Sequence, residues 1–152
     1  MLSWAREDLS EMSLDEFITL LNRDLRLEYL AVVQYTQHFG MLNPGDANLR
    51  DALKDLAGDE LAHALILAEQ IRRLGGVPEV RTPRARTADK ARALLLQDRR
   101  GEKGAVTRYR ARILQAQALG LDSLAGILRA ILAAEERHLQ TLDGLMQGCG
   151  AD

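Results

Sequence analysis

The chain has 152 residues, 47% of them apolar and 4% aromatic, and carries a formal net charge of −2. That length suits one domain with a real core. The near-neutral charge gives no general attraction to nucleic acid or membranes, and no apolar run approaches the roughly 20 residues of a membrane span. Leu, Ala, Arg, Glu and Gln dominate and β-branched runs are absent, so the expected class is all-α.

The first helix is expected from about Ser13 to Met41, opened by a capping-box pair in "SLDE", Ser13 and Glu16. "LNPGD" reads as a turn. A second helix is expected from about Ala47 to Leu74, stopped by "GG". "GGVPEVRTPRART" has two prolines and no periodicity and reads as a long connection. Its Arg81, Arg84 and Arg86 are explained by a solvated loop, and no DNA-binding role is expected. A third helix is expected over about 88–120 and a fourth over about 122–146. Connections in the order short, long, short imply two antiparallel helix pairs joined by a crossover, a four-helix bundle spanning 1–152 as one domain.

Helical phase locates the buried faces. In the first helix, positions 14, 21, 28, 35 and 42, with 18, 25, 32 and 39, form an apolar stripe that Glu28 interrupts. In the second, an apolar seam from Leu49 to Leu74 is broken by Glu60 and His63. In the fourth, a seam from Leu124 to Leu145 is broken by Glu135 and His138. The third is harder, because Glu102 lies in "DRRGEKGAV" between Gly101 and Gly104, and each interior Gly costs about 1 kcal/mol relative to Ala. The seven-residue phase nevertheless survives from Leu95 to Tyr109, which predicts one continuous helix.

The pattern repeats. Glu28 and Tyr35 are seven apart, as are Glu102 and Tyr109; Glu28 to Glu60 spans 32 residues and Glu102 to Glu135 spans 33. Each half reads Glu, Tyr at +7, then Glu-x-x-His after a turn, which implies a site with approximate twofold symmetry. Burying one unpaired carboxylate costs several kcal/mol, against a stability of roughly 5–15 kcal/mol for a whole domain. Four buried together require compensation. Raised pKa values or basic partners are alternatives, but the stripes offer few basic residues. Two divalent cations balance four carboxylates, and an oxygen–nitrogen ligand set without thiolates suits iron or manganese, with zinc also compatible.

Other chemistry-bearing residues carry weaker signals. His38 reads as a polar edge residue. Asp98 and Asp59 read equally well as solvated acids or as groups orienting a histidine. Tyr35 and Tyr109 read as core residues with hydrogen-bonded hydroxyls near the metal. The lone Cys149, in "QGCGAD", reads as an incidental thiol. The start, "MLSWAREDLSEM", lacks an apolar signal core, so a cytoplasmic location is expected.

With these motifs the chain resembles ferritin-like di-iron proteins, whose pattern is one Glu from each of two helices and Glu-x-x-His from the other two. It resembles bacterioferritin in particular, from "LNRDLRLEYLAVVQYTQHFGML" through "GDELAHALILAEQIRRLGGVP" and "LLLQDRRGEKGAVTRYRARI" to "ILRAILAAEERHLQTL". The resemblance implies a ferroxidase centre of Glu28, Glu60, His63, Glu102, Glu135 and His138. Glu60 and Glu135 would bridge two irons, each His would bind one, Glu28 and Glu102 would be terminal, and Tyr35 would match a redox-active tyrosine. The chemistry implied is Fe(II) oxidation by O2 or peroxide, with ferric mineral stored in a protein shell and a homodimer as the smallest assembly.

Three positions depart from that family. Leu61 stands where bacterioferritins carry the Met that ligates haem, so no haem is expected. Fourteen residues follow His138, so the fifth helix that helps close the large shell is not expected. Asp55 stands where many relatives have a His. A soluble di-metal peroxide scavenger or oxidase without mineral storage is therefore the alternative reading, and a non-catalytic metal-stabilised bundle is a third.

Overall fold

The computed structural model describes residue 9 and residues 11–149; the amino-terminal run examined for a signal core lies largely outside them. Four helices are present: α1 (Leu14–Met41), α2 (Ala47–Arg73), α3 (Ala91–Ala118) and α4 (Asp122–Gly148). α1 packs on α2 and α3 on α4, while α1–α3 and α2–α4 contacts close the bundle. No helix among the described residues is long and apolar enough to cross a membrane.

Local chemistry sets the helix ends. The Ser13 hydroxyl accepts from the Glu16 amide at 3.2 Å, and the Glu16 carboxylate accepts from the Ser13 amide at 2.7 Å, completing the expected capping box. Arg50 donates to the carbonyls of Phe39 and Leu42, both at 3.1 Å, which satisfies the last turn of α1. α2 and α3 end in the same way. Gly75 (φ +89°) and Gly120 (φ +72°) take the left-handed conformation, and the next amides, Gly76 and Leu121, donate to Ile71 and Ala116. Gly76 is also required sterically, since a Cβ there would lie 2.6 Å from Ile18 Cγ2.

α3 is unbroken through Gly101 and Gly104, as the phase predicts, but it begins three residues later than expected. The chain before it is held extended by tertiary bonds. The Arg86 carbonyl accepts from His38 Nε2 at 2.8 Å and the Thr87 carbonyl from Gln97 Nε2 at 3.0 Å. α4 runs two residues beyond its expected end. The buried face of α1 is also rotated from the expected stripe. Leu14 is exposed, while Phe17, Asp24 and His38 are fully buried. A straight helix drifts about 20° per heptad against a strict seven-residue repeat, so a stripe cannot stay inward over four heptads.

The pairs Asp24–Arg112, Glu28–Tyr109, Tyr35–Glu102 and His38–Asp98 step in opposite directions along α1 and α3, which makes these helices antiparallel. The apolar core is split in two. One cluster gathers Phe17, Leu21, Leu25, Leu67, Ile71, Tyr109 and Ile113; the other gathers Tyr35, Leu53, Leu56, Leu94, Leu95 and Leu142. The polar residues of the repeat lie between them.

His38 is a hub rather than an edge residue. Its Nδ1 is 2.9 Å from Asp98 Oδ2, and its Nε2 faces the Arg86 carbonyl, so both ring nitrogens meet acceptors. Only an imidazolium can donate to both. Burial lowers its pKa, but the bonds to Asp98 and Arg86 win and raise it. A raised folded-state value gives stability that is complete below the unfolded pKa of about 6.5 and is lost as pH rises through the folded value. Replacing His38 by Gln should cost about 1.5–3 kcal/mol near pH 6. In urea titrations across the pH range that gap should narrow at alkaline pH; a constant gap would mean that folding leaves the pKa of the ring unshifted.

Candidate metal centre

Each helix supplies its part by register. Glu60 and His63 share a face of α2 because three residues make nearly a turn, and Glu135 and His138 do the same on α4. Glu28 and Glu102 face them from α1 and α3. All six are buried, with relative exposures of 0–6%.

Their donor atoms converge on two points. His63 Nδ1 lies 3.3 Å from Glu135 Oε1, 3.4 Å from Glu60 Oε2 and 3.8 Å from Glu28 Oε2. His138 Nδ1 lies 2.9 Å from Glu60 Oε1, 3.0 Å from Glu135 Oε2 and 3.5 Å from Glu102 Oε1. Glu28, Glu60, His63 and Glu135 each offer a ligand atom within 4.8 Å of the others, and so do Glu60, Glu102, Glu135 and His138. Glu60 and Glu135 belong to both groups. The two imidazoles stack with centroids 5.8 Å apart.

One N–H can donate to only one of three surrounding carboxylates. Glu60 Oε1, Glu135 Oε1 and His63 Nδ1 are buried without a hydrogen bond of good geometry. Three orphaned ligand atoms shared between these two points cost several kcal/mol if left so, and they fit a pair of divalent cations.

The protonation pattern reflects the same crowding. Burial, with Glu28 alongside, pushes Glu60 well above the carboxylate range. Burial likewise lifts Glu102 to about 7 despite His138. Glu135 is also raised by burial, but hydrogen bonds from His138 and His63 outweigh this and bring it to about 2. His63 is lowered by burial yet raised overall to about 12 by Glu135, Glu28 and Glu60, and His138 is raised by its carboxylates in the same way. Without cations, protons do the neutralising.

Around the cluster lies a shell with the same approximate symmetry. The Tyr35 hydroxyl donates to Glu102 and the Tyr109 hydroxyl to Glu28. Burial and the adjacent carboxylate push both phenols well up. Asp59 Oδ2 is 3.0 Å from His138 Nε2, an orienting contact made from a largely exposed side chain. Asp98 does hold a histidine, but it is His38 and not one of the cluster.

The sequence reading missed Asp24, which accepts from Arg112 Nε at 2.7 Å and lies 3.3 Å from Arg108 Nε. Burial raises Asp24 against the pull of both arginines. The missed signal was the length of the repeat. An offset of 74 relates Asp24 to Asp98, Gln34 to Arg108 and His38 to Arg112, as it relates the two Glu–Tyr pairs.

The ferritin-like domain profile matches residues 18–149. The chain belongs to the ferritin-like family. It is 31% identical over 130 residues to the bacterioferritin of Streptomyces coelicolor, covering 84% of this chain and 78% of that one. Among solved structures it is similar to a ferritin-like, diiron-carboxylate protein from Bacillus anthracis, with a TM-score of 0.84 and 33% identity over 89% of this chain and 99% of that one. A dodecameric thioferritin from Bacteroides fragilis, described as bacterioferritin-related, gives a TM-score of 0.81 at 26% identity over 94% of both chains. The bacterioferritin of Mycobacterium tuberculosis gives 0.82 at 27% identity, over 87% of this chain and 84% of that one. The fold is thus the ferritin-like four-helix bundle, and the carboxylate–histidine cluster is compatible with a di-iron site.

Cation binding should register as stability. Mn(II) at about 100 times its Kd should add about 2.7 kcal/mol per site, a rise of several degrees in Tm by calorimetry. Glu60→Gln, which mimics the protonated carboxyl that burial favours, should leave metal-free stability within about 1 kcal/mol. The same variant should lose most of the metal-dependent rise; an undiminished rise would mean that the cations bind elsewhere.

Proposed function

We propose that the cluster is a ferroxidase centre that oxidises Fe(II) with O2 or peroxide, serving iron storage or detoxification. The observation that carries this reading is the pair of four-donor groups sharing Glu60 and Glu135. In it, Glu28, Glu60, His63 and Glu135 would hold one iron and Glu60, Glu102, Glu135 and His138 the other, with Glu60 and Glu135 common to both groups.

Two Fe(II) give up two electrons together. With two protons these reduce O2 to hydrogen peroxide, or peroxide to two waters. The chain's own groups prepare this. His63 and His138 shed their protons as the metal binds, and Asp59 keeps the His138 ring oriented. Tyr35 holds Glu102 through its hydroxyl and is positioned to give one electron and its phenolic proton when the oxidant needs a further equivalent. Exposed apolar side chains on α1, α2 and the crossover, among them Val33, Leu61, Leu65, Val77 and Val80, support a homo-oligomer, at least a dimer. Glu60→Ala or His138→Ala should slow Fe(II) oxidation by about 100-fold or more while circular dichroism stays helical. Unchanged stopped-flow rates in both variants would refute the assignment.

A second reading is a soluble di-metal redox enzyme without mineral storage, because the same two four-donor groups would serve either reaction. Electron microscopy after iron loading separates the two. Mineral-filled shells are expected for storage, and mineral-free dimers would favour the enzyme.

A further inference from the structure

Between α1 and α3, under the end of the crossover, a cavity of about 300 Å³ reaches inward to Glu28, Glu60, Glu102 and Tyr35. Four arginines line it: Arg84 and Arg86 from the crossover, Arg100 and Arg108 from α3. Arg84, Arg86 and Arg100 are exposed while the glutamates are buried, so the arginines form the rim and the carboxylates the floor.

Three of these arginines are not spoken for by acids. Arg81, their neighbour in the crossover, is taken by Glu79 at 3.0 Å. Arg84, Arg86 and Arg100 make no ion pair among the described residues. Arg108 leans on Asp24, but that carboxylate is already gripped by Arg112, which leaves two guanidiniums sharing one negative charge. The crossover is fixed over the cavity rather than waving in solvent. His38 and Gln34 both bond to the Arg86 backbone, and Gln34 also donates to Asp98 at 3.0 Å. A rim of unpaired guanidiniums, each with a planar fork of donors, on a walled cavity matches a tetrahedral oxyanion.

We propose that this rim binds a small tetrahedral oxyanion directly above the carboxylate–histidine cluster, held by Arg84, Arg86, Arg100 and Arg108. The chemistry is that of inorganic phosphate. A nucleic acid would need a basic surface extending beyond one cavity, and the chain's net charge is −2. The charge of the floor tunes the site. Bare carboxylates oppose an anion above them, whereas two divalent cations cancel four carboxylate charges and leave the rim's positive field in force. Oxyanion and metal therefore bind with positive coupling, each strengthening the other by the same factor. Only this metal dependence rests on the di-metal reading; the arginine dependence does not.

The test is calorimetric titration of inorganic phosphate into the full chain, metal-free and loaded with redox-inert Zn(II). One saturable site per chain is expected, bound about tenfold or more tightly in the zinc form. Arg84→Ala/Arg100→Ala, at two exposed positions, should weaken it about tenfold or more in both forms. Arg110→Ala should change nothing, because Arg110 lies outside the cavity and pairs with Glu136 at 2.9 Å. No saturable binding in either form, binding unchanged in the double variant, or an equal loss in Arg110→Ala overturns the proposal. AMP binding more tightly than phosphate overturns the free oxyanion as the ligand. Zinc content of the same samples keeps the two readings apart. Fewer than two zinc ions per chain counts against the di-metal centre, and lost arginine dependence counts against the rim.

Discussion

The mutual repulsion of four buried carboxylates organises this molecule. A helical bundle of this size is most cheaply stabilised by an unbroken apolar core, yet here the core is cut into two clusters by a polar layer. Glu28, Glu60, Glu102 and Glu135 gather there with two imidazoles, and the polar groups that touch the cluster bond to its members. Tyrosines donate to the two outer carboxylates, histidines sit among three carboxylates each, and a buried acid with its own basic partner closes each end. Without cations, the raised pKa values of both histidines and of Glu60 favour protons there, which offsets part of the repulsion. Structure at this layer is bought with charge compensation rather than with apolar packing.

Much of this was legible in the sequence because two kinds of signal agreed. The seams of α2 and α4 keep their phase from end to end, so the acids and imidazoles interrupting them had to be buried. Glu102 was harder, since its glycine neighbours mimic a turn. Continuity was set by the burial of Leu95, Tyr109 and Ile113 on the same face, which outweighs two weak helix formers. What could not be read was the rotation of α1. A strict heptad placed Leu14 inside, whereas the drift of a straight helix puts Phe17, Asp24 and His38 there instead. Once α1 is rotated, Asp24 and His38 change from surface residues into the ends of the polar layer. Their partners lie 88 and 60 residues away, separations that no local pattern encodes.

The two halves of the repeat are equal at the centre and unequal at its ends. The Glu, Tyr and Glu-x-x-His positions match with chemistry intact. At the flanks, Arg112 and Arg108 serve Asp24, while the equivalent His38 and Gln34 serve Asp98. Topology supplies the reason. Only one crossover exists, and where it ends it needs an anchor that bonds to backbone as well as to a carboxylate. A histidine reaches Asp98 with one ring nitrogen and the Arg86 carbonyl with the other. Gln34 does the same with its amide, donating to Asp98 and accepting from the Arg86 amide.

That asymmetry also decides where the polar layer meets the outside. The crossover, fixed by Asn22 near its start and by His38 and Gln34 near its end, carries its arginines over the α1–α3 cavity. On the α2–α4 side, the exposed acid Asp59 contacts His138. The polar layer therefore has a negative group on one flank and arginines on the other, and the local fields there are opposite in sign.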